Sequence, residues 1–149
     1  MKVIRYNSSS EQNHWLEKIN TSDWNAAKFL YKLLKNGAFF ETLGEGSDVL
    51  LLTDGDELIS FCTYSKIDDI PDTDLTPWVG FVFTFPKYRG NGYIGKLFEE
   101  VAKISKERNV EAVYLSTNHI GLYEKYGFVY YGEMIDMDGC PSRIYTRKF

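Results

Sequence analysis

RGNGYIGKLFEE, residues Arg89 to Glu100, decides how the chain is read. Gly90, Gly92 and Gly95 stand at G-x-G-x-x-G spacing, the pattern of a dinucleotide-binding turn. Taken from Arg89 instead, the same letters form a different phosphate cradle that leads straight into a helix. That helix is strongly two-faced. Ile94, Leu97, Phe98, Val101, Ala102 and Ile104 line one side, and Lys96, Glu99, Glu100, Lys103 and Glu107 the other.

The dinucleotide reading fails on its surroundings. It requires strand, glycines, helix and second strand, with an acid at the far end of that second strand. Here Pro86, Lys87 and Tyr88 separate the strand WVGFVFTF from the glycines. The acid about 20 residues on, Glu111, falls at the start of the next strand, where it cannot meet a ribose. Too little chain follows Gly95 to complete a doubly wound domain.

Working outward, MKVIRY alternates as a first strand, and a short helix is expected around Trp15, Leu16 and Ile19. DWNAAKFLYKLLK carries Trp24, Ala27, Leu30, Tyr31 and Leu34 at helical spacing, with Ser22 as expected N-cap and Asn36-Gly37 as C-cap. Asp54-Gly55 turns a hairpin between Val49–Leu52 and Leu58–Ser65. The Pro- and Asp-rich stretch DDIPDTDLTP reads as a loop before WVGFVFTF. After the long helix, EAVYLST is a strand, IGLYEKYG a short helix, and FVYYGEMI and SRIYTRKF are closing strands. The order β-α-α-β-β-β-α-β-α-β-β predicts an α/β (α+β) fold in a single domain, residues 1–149. Its sheet is mixed and mostly antiparallel. One parallel pair is joined through the long helix by a right-handed crossover.

Composition narrows the function. The net charge of -4 lacks the basic patch of a nucleic-acid binder. No run is long enough to span a membrane, and the N-terminus lacks the apolar core of a signal peptide. A cytoplasmic protein is therefore expected. Cys62 and Cys140 are far apart, and the two histidines, His14 and His119, stand in no H-E-x-x-H, so no metal site is expected. With 11 Tyr in the chain, a tyrosine by itself says little.

Two stretches in order change that: FTFPKYRGNGYIGKLF and, about thirty residues later, GLYEKYGF (Gly121 to Phe128). Together they resemble the GNAT superfamily of N-acetyltransferases, whose acetyl-CoA motif is Q/R-x-x-G-x-G/A and whose later motif is lYeklGF. The close resemblance covers Trp78 to Gly132. It implies a fold in which the parallel strands splay apart and acetyl-CoA, the cosubstrate, lies between them. Arg89, Gly90, Asn91, Gly92, Tyr93, Ile94, Gly95 and Lys96 would then hold the pyrophosphate through backbone amides and cationic help at a helix N-terminus. Val82, Phe83 and Thr84 would pair with the pantetheine arm, and Asn118 would touch it. Ile94 departs from the pattern, standing where the family has Gly or Ala, with its side chain expected in the core.

The resemblance also implies the chemistry. An amine must lose a proton, an oxyanion must be held, and a thiolate must be protonated. Tyr123, the Tyr of GLYEKYGF, is the expected general acid. An N–H near Val82–Thr84 is the expected oxyanion donor. The base is not marked, because WVGFVFTF contains no acid. His119 is one candidate, since imidazole titrates near neutrality. Asp68, Asp69, Asp72 and Asp74 either attract a cationic acceptor, line a water path or simply form turns. Trp15, Trp24, Phe39 and Phe40 either wall an acceptor pocket or pack in the core. The expected activity is direct acetyl transfer to a primary amine of a small molecule or peptide. The alternative is a catalytically silent CoA-binding module. The acceptor, and whether the chain forms a homodimer, are left open at this level.

Overall fold

A computed structural model describes residues Met1–Phe149. The strands are β1 (Lys2–Arg5), β2 (Asp48–Asp54), β3 (Glu57–Ser65), β4 (Trp78–Thr84), β5 (Ala112–Thr117), β6 (Val129–Ile135) and β7 (Pro141–Lys148). The helices are α1 (Gln12–Asn20), α2 (Asn25–Lys35), α3 (Phe39–Leu43) and α4 (Ile94–Glu107). Short 3-10 turns occupy Tyr6–Ser8, Pro86–Tyr88 and Tyr123–Tyr126. The strands form one seven-stranded sheet in the order β1-β2-β3-β4-β5-β7-β6. Every neighbouring pair is antiparallel except β4 and β5, which are parallel as expected.

Period-two alternation divides the core between the two faces of the sheet. On β2, Leu50 and Leu52 point to the α4 side, where they meet Leu97, Phe98 and Val101. Val49 and Leu51 point the other way, toward Trp15 and Ile19 of α1 and Ala27 and Leu30 of α2. That two-sided burial explains why β2 reads as an unbroken apolar run. Arg5 of β1 also reaches α4, with its Nε 2.7 Å from Glu100.

Caps follow their local chemistry. Gly37, at φ +70, lets the Ala38 amide turn back to the Leu33 carbonyl and close α2. Asn109 ends α4 in the same left-handed way, at φ 57. Ser22 lies two residues outside its expected role as N-cap. Helix α2 begins at Asn25 with Trp24 as the flanking residue, and the Ser22 hydroxyl accepts from the Trp24 amide at 3.1 Å. Two local expectations need correcting. The stretch after α2 contains the extra five-residue helix α3, and IGLYEKYG forms a 3-10 turn rather than an α-helix. Both are too short for a helical period to show in their apolar residues.

Candidate active site

Strands β4 and β5 pair only at Trp78↔Tyr114 and Val79↔Leu115, and beyond those residues they separate. Part of the cause lies within β4. Between Phe61↔Phe83 and Thr63↔Gly80 the register slips, so β4 carries one extra residue there. Phe81 in this bulge is held at φ 49, a conformation that a bulky aromatic rarely adopts. The wedge between the strands opens into two cavities that meet inside it.

The first cavity, about 720 Å³, is walled by Val82, Phe83 and Thr84 on one side and by Arg89 to Ile94 on another. Gly90 and Gly92 have φ +82 and +68, so an L side chain would be strained at either position. The amides of Gly90, Asn91, Gly92, Tyr93 and Ile94 make no hydrogen bond within the chain. Five consecutive free N–H groups at the start of a 14-residue helix form an anion cradle. These residues fit the pyrophosphate of acetyl-CoA.

Arg89 turns back from the cradle. Its Nε donates to the Thr84 carbonyl at 2.8 Å, and its guanidinium lies 5.4 Å over the Phe83 ring. It thereby ties the turn to the end of β4 while still lining the cavity. Gly95 and Lys96 do not line the cavity, and their amides are already bonded to the carbonyls of Gly92 and Tyr93. A Cβ on Gly95 would stand only 3.1 Å from Tyr126 Cε1, so any larger residue there would press on the ring of Tyr126. Ile94 is buried in the α4 core, which leaves its amide at the cradle.

The second cavity, about 680 Å³, lies on the α2 side of the wedge. Trp24, Phe29, Phe81, Asp68, Asp69 and Asn118 are among its walls. Trp24 thus faces the cavity, while Trp15 and Phe39 are core residues and Phe40 is exposed. Asn118 faces this cavity and not the cradle side. Val82, His119 and Tyr123 line both cavities and mark their junction.

Tyr123 is buried, with Phe98 and Phe128 at ring distances of 6.1 and 6.2 Å. Burial, and then the neighbouring Cys62 thiol, push its phenol up to about 12, so it keeps its proton at any physiological pH. His119 is exposed, its amide bonded to the Thr117 hydroxyl.

The group that sequence reasoning left undecided is Asp68. Its carboxylate lies against the bare Cα of Gly80 on β4, so closely that a Cβ there would overlap it. Burial first, and then the adjacent Asp69 carboxylate, raise Asp68 to about 7. Asp69 is raised too, chiefly by burial, and its Oδ1 is buried without a hydrogen-bond partner. The one sequence signal that could have found this site was the glycine interrupting WVGFVFTF. Its meaning depends on a residue twelve positions away.

Three comparisons bear on this architecture. A sequence model of the Acetyltransferase (GNAT) family matches residues 10–128. No curated protein matches the sequence. Among solved structures, a Desulfovibrio desulfuricans protein described as a GNAT-family acetyltransferase superposes with a TM-score of 0.70 at 15% identity, over 98% of this chain and 97% of its own. An aminoglycoside 6'-N-acetyltransferase complexed with coenzyme A gives 0.69 at 12%, over 99% and 97%. A Bacillus anthracis protein described as a streptothricin acetyltransferase, in complex with acetyl coenzyme A, gives 0.58 at 18%, over 74% and 68%.

Proposed function

Because the chain belongs to the GNAT acetyltransferase family and is an acyltransferase using acetyl-CoA, we propose that it transfers acetyl directly to a primary amine in a ternary complex. The observation that carries this reading is the meeting of the two cavities at Tyr123. One cavity offers the anion cradle and the other a half-buried carboxyl pair. The phenol between them retains its proton.

Acetyl-CoA supplies the activated thioester, and the remaining roles belong to side chains and backbone of this chain. The five free amides from Gly90 to Ile94 bind the diphosphate. The edge of β4 beyond Val79, unpaired by β5, offers main-chain groups of Val82, Phe83 and Thr84 to the pantetheine and an N–H to the reacting carbonyl oxygen. Tyr123 passes its proton to the sulfur as the thiolate departs, and the second proton lost by the attacking nitrogen restores the phenol.

Asp68 accepts the proton of the incoming ammonium. It is held in place by the Gly80 gap, and its affinity for protons is matched to neutral pH. His119, at the junction, is the other candidate base. Its exposure leaves Asp68 as the better-sequestered base. Replacing Tyr123 with Phe should lower kcat by about 10²–10³-fold in a thiol-release assay while coenzyme A still raises the melting temperature. An unchanged kcat would remove Tyr123 as the acid. A missing coenzyme A shift in the unaltered protein would remove the whole reading.

A further inference from the structure

The acceptor cavity has an unusual distribution of polarity. Three large apolar side chains converge on its mouth while remaining exposed to solvent: Phe29 at 50%, Ile67 at 46% and Met137 at 71%. Scattered exposed hydrophobics are ordinary, but a group gathered around one opening marks a binding surface. Phe29 of α2 lies nearly parallel to Phe81 of β4, with centroids 6.4 Å apart and 20° between planes. Phe81 is the residue held at φ 49, and such backbone strain persists where the surroundings enforce it for function. The bulge therefore aims an aromatic ring into the cavity at a conformational cost.

Charge is confined to one end. Asp68 and Asp69 are the only carboxylates in the wall, and no Lys or Arg lines it. Burial raises both acids, with Asp69 adding to the rise of Asp68 and Asp136 to that of Asp69. On β5 the Ser116 hydroxyl pairs with that of Ser142 at 2.7 Å, and the Thr117 hydroxyl accepts from the His119 amide at 3.1 Å. A polyhydroxylated polycation needs several acids and many free hydrogen-bonding groups along the wall. This wall offers one acidic spot behind an apolar throat, with Thr42, Asn118 and His119 as its few other polar side chains.

We propose that the acceptor is a monoamine on an apolar body, an arylalkyl or alkyl amine, with its apolar part against Phe29, Phe81 and Met137 and its amino group at Asp68. This rests on the acetyl-transfer reading above. The test compares 2-phenylethylamine, spermidine and kanamycin as acceptors in a thiol-release assay, with the coenzyme A melting shift read on the same samples. The expected kcat/KM for 2-phenylethylamine is at least about tenfold above the other two. Phe29→Ser and Met137→Ser, both at exposed positions, should each raise KM for 2-phenylethylamine several-fold and leave the coenzyme A shift intact. Preference for spermidine or kanamycin, turnover of none of the three, or an unchanged KM in both variants would overturn the assignment. Acetyl-CoA binding stands or falls separately, on the melting shift alone.

Discussion

Replacing Asp68 with Asn should stabilise the protein at pH 8 and cripple it as a catalyst. In the folded chain the Asp68 carboxyl is raised from 3.8 to about 7, mainly by burial. Below pH 4 it is protonated in both folded and unfolded states and costs nothing. Between pH 4 and 7 the unfolded chain releases the proton while the folded chain retains it. Stability conferred by the protonated group is therefore lost across that window. Above pH 7 the folded state carries the full cost of a buried anion.

About three pH units at 1.36 kcal/mol each set a ceiling of about 4 kcal/mol. Sharing of the proton with Asp69 brings the expected figure to about 2–4 kcal/mol. The asparagine variant lacks this titration. Its stability advantage over the unaltered protein should be larger at pH 8 than at pH 4 by that amount. In a chain of this size the change in advantage corresponds to about 4–16 °C in melting temperature. Urea denaturation at the two pH values measures it, and thiol release at pH 8 should fall by about 10²–10⁴-fold. Parallel stability profiles for the two proteins from pH 4 to 8 would refute the buried-carboxyl argument. Full activity in the variant would refute its role as base.

Two further substitutions test the packing that builds the site. Gly80→Ala puts a methyl group where the Asp68 carboxylate lies, so activity should drop at least about tenfold while the coenzyme A melting shift persists. Full activity in that variant would mean that the position of Asp68 does not matter. Gly95→Ala sets helix propensity against a 3.1 Å contact with Tyr126. It should destabilise the unaltered background by about 1 kcal/mol and stabilise a Tyr126→Leu background by about 0.5–1 kcal/mol. Denaturant melts of the double-mutant cycle read this reversal of sign.

The glycines of RGNGYIGKLFEE show how far letters alone carry. Gly90 and Gly92 do what their spacing suggested, since both adopt positive φ in the turn that frees the amides. Gly95, which completes the dinucleotide pattern, is there for a reason the pattern does not contain. Tyr126, from a turn beyond β5, covers it. Ile94 was the apparent misfit at the family's small position. Its side chain belongs to the core of α4 while its backbone serves the cradle, so one residue meets both requirements. The order of elements along the chain and the parallel pair were legible because amphipathic period and turn residues act over a few positions. The five residues of α3 were not, because they are shorter than two helical turns.

By itself, then, the sequence determined the local elements, the mixed sheet with its parallel pair and the turn that presents free amides. Each of these follows from side-chain period or from the φ preference of a residue and its neighbours. Only the tertiary structure decided which groups share the reaction space. The bulge that aims Phe81 depends on the register between β3 and β4. The elevation of Asp68 depends on its carboxyl being pressed against Gly80, with Asp69 beside it and little water around it. Desolvation and proximity are properties of the folded assembly, and no spacing along the chain encodes them.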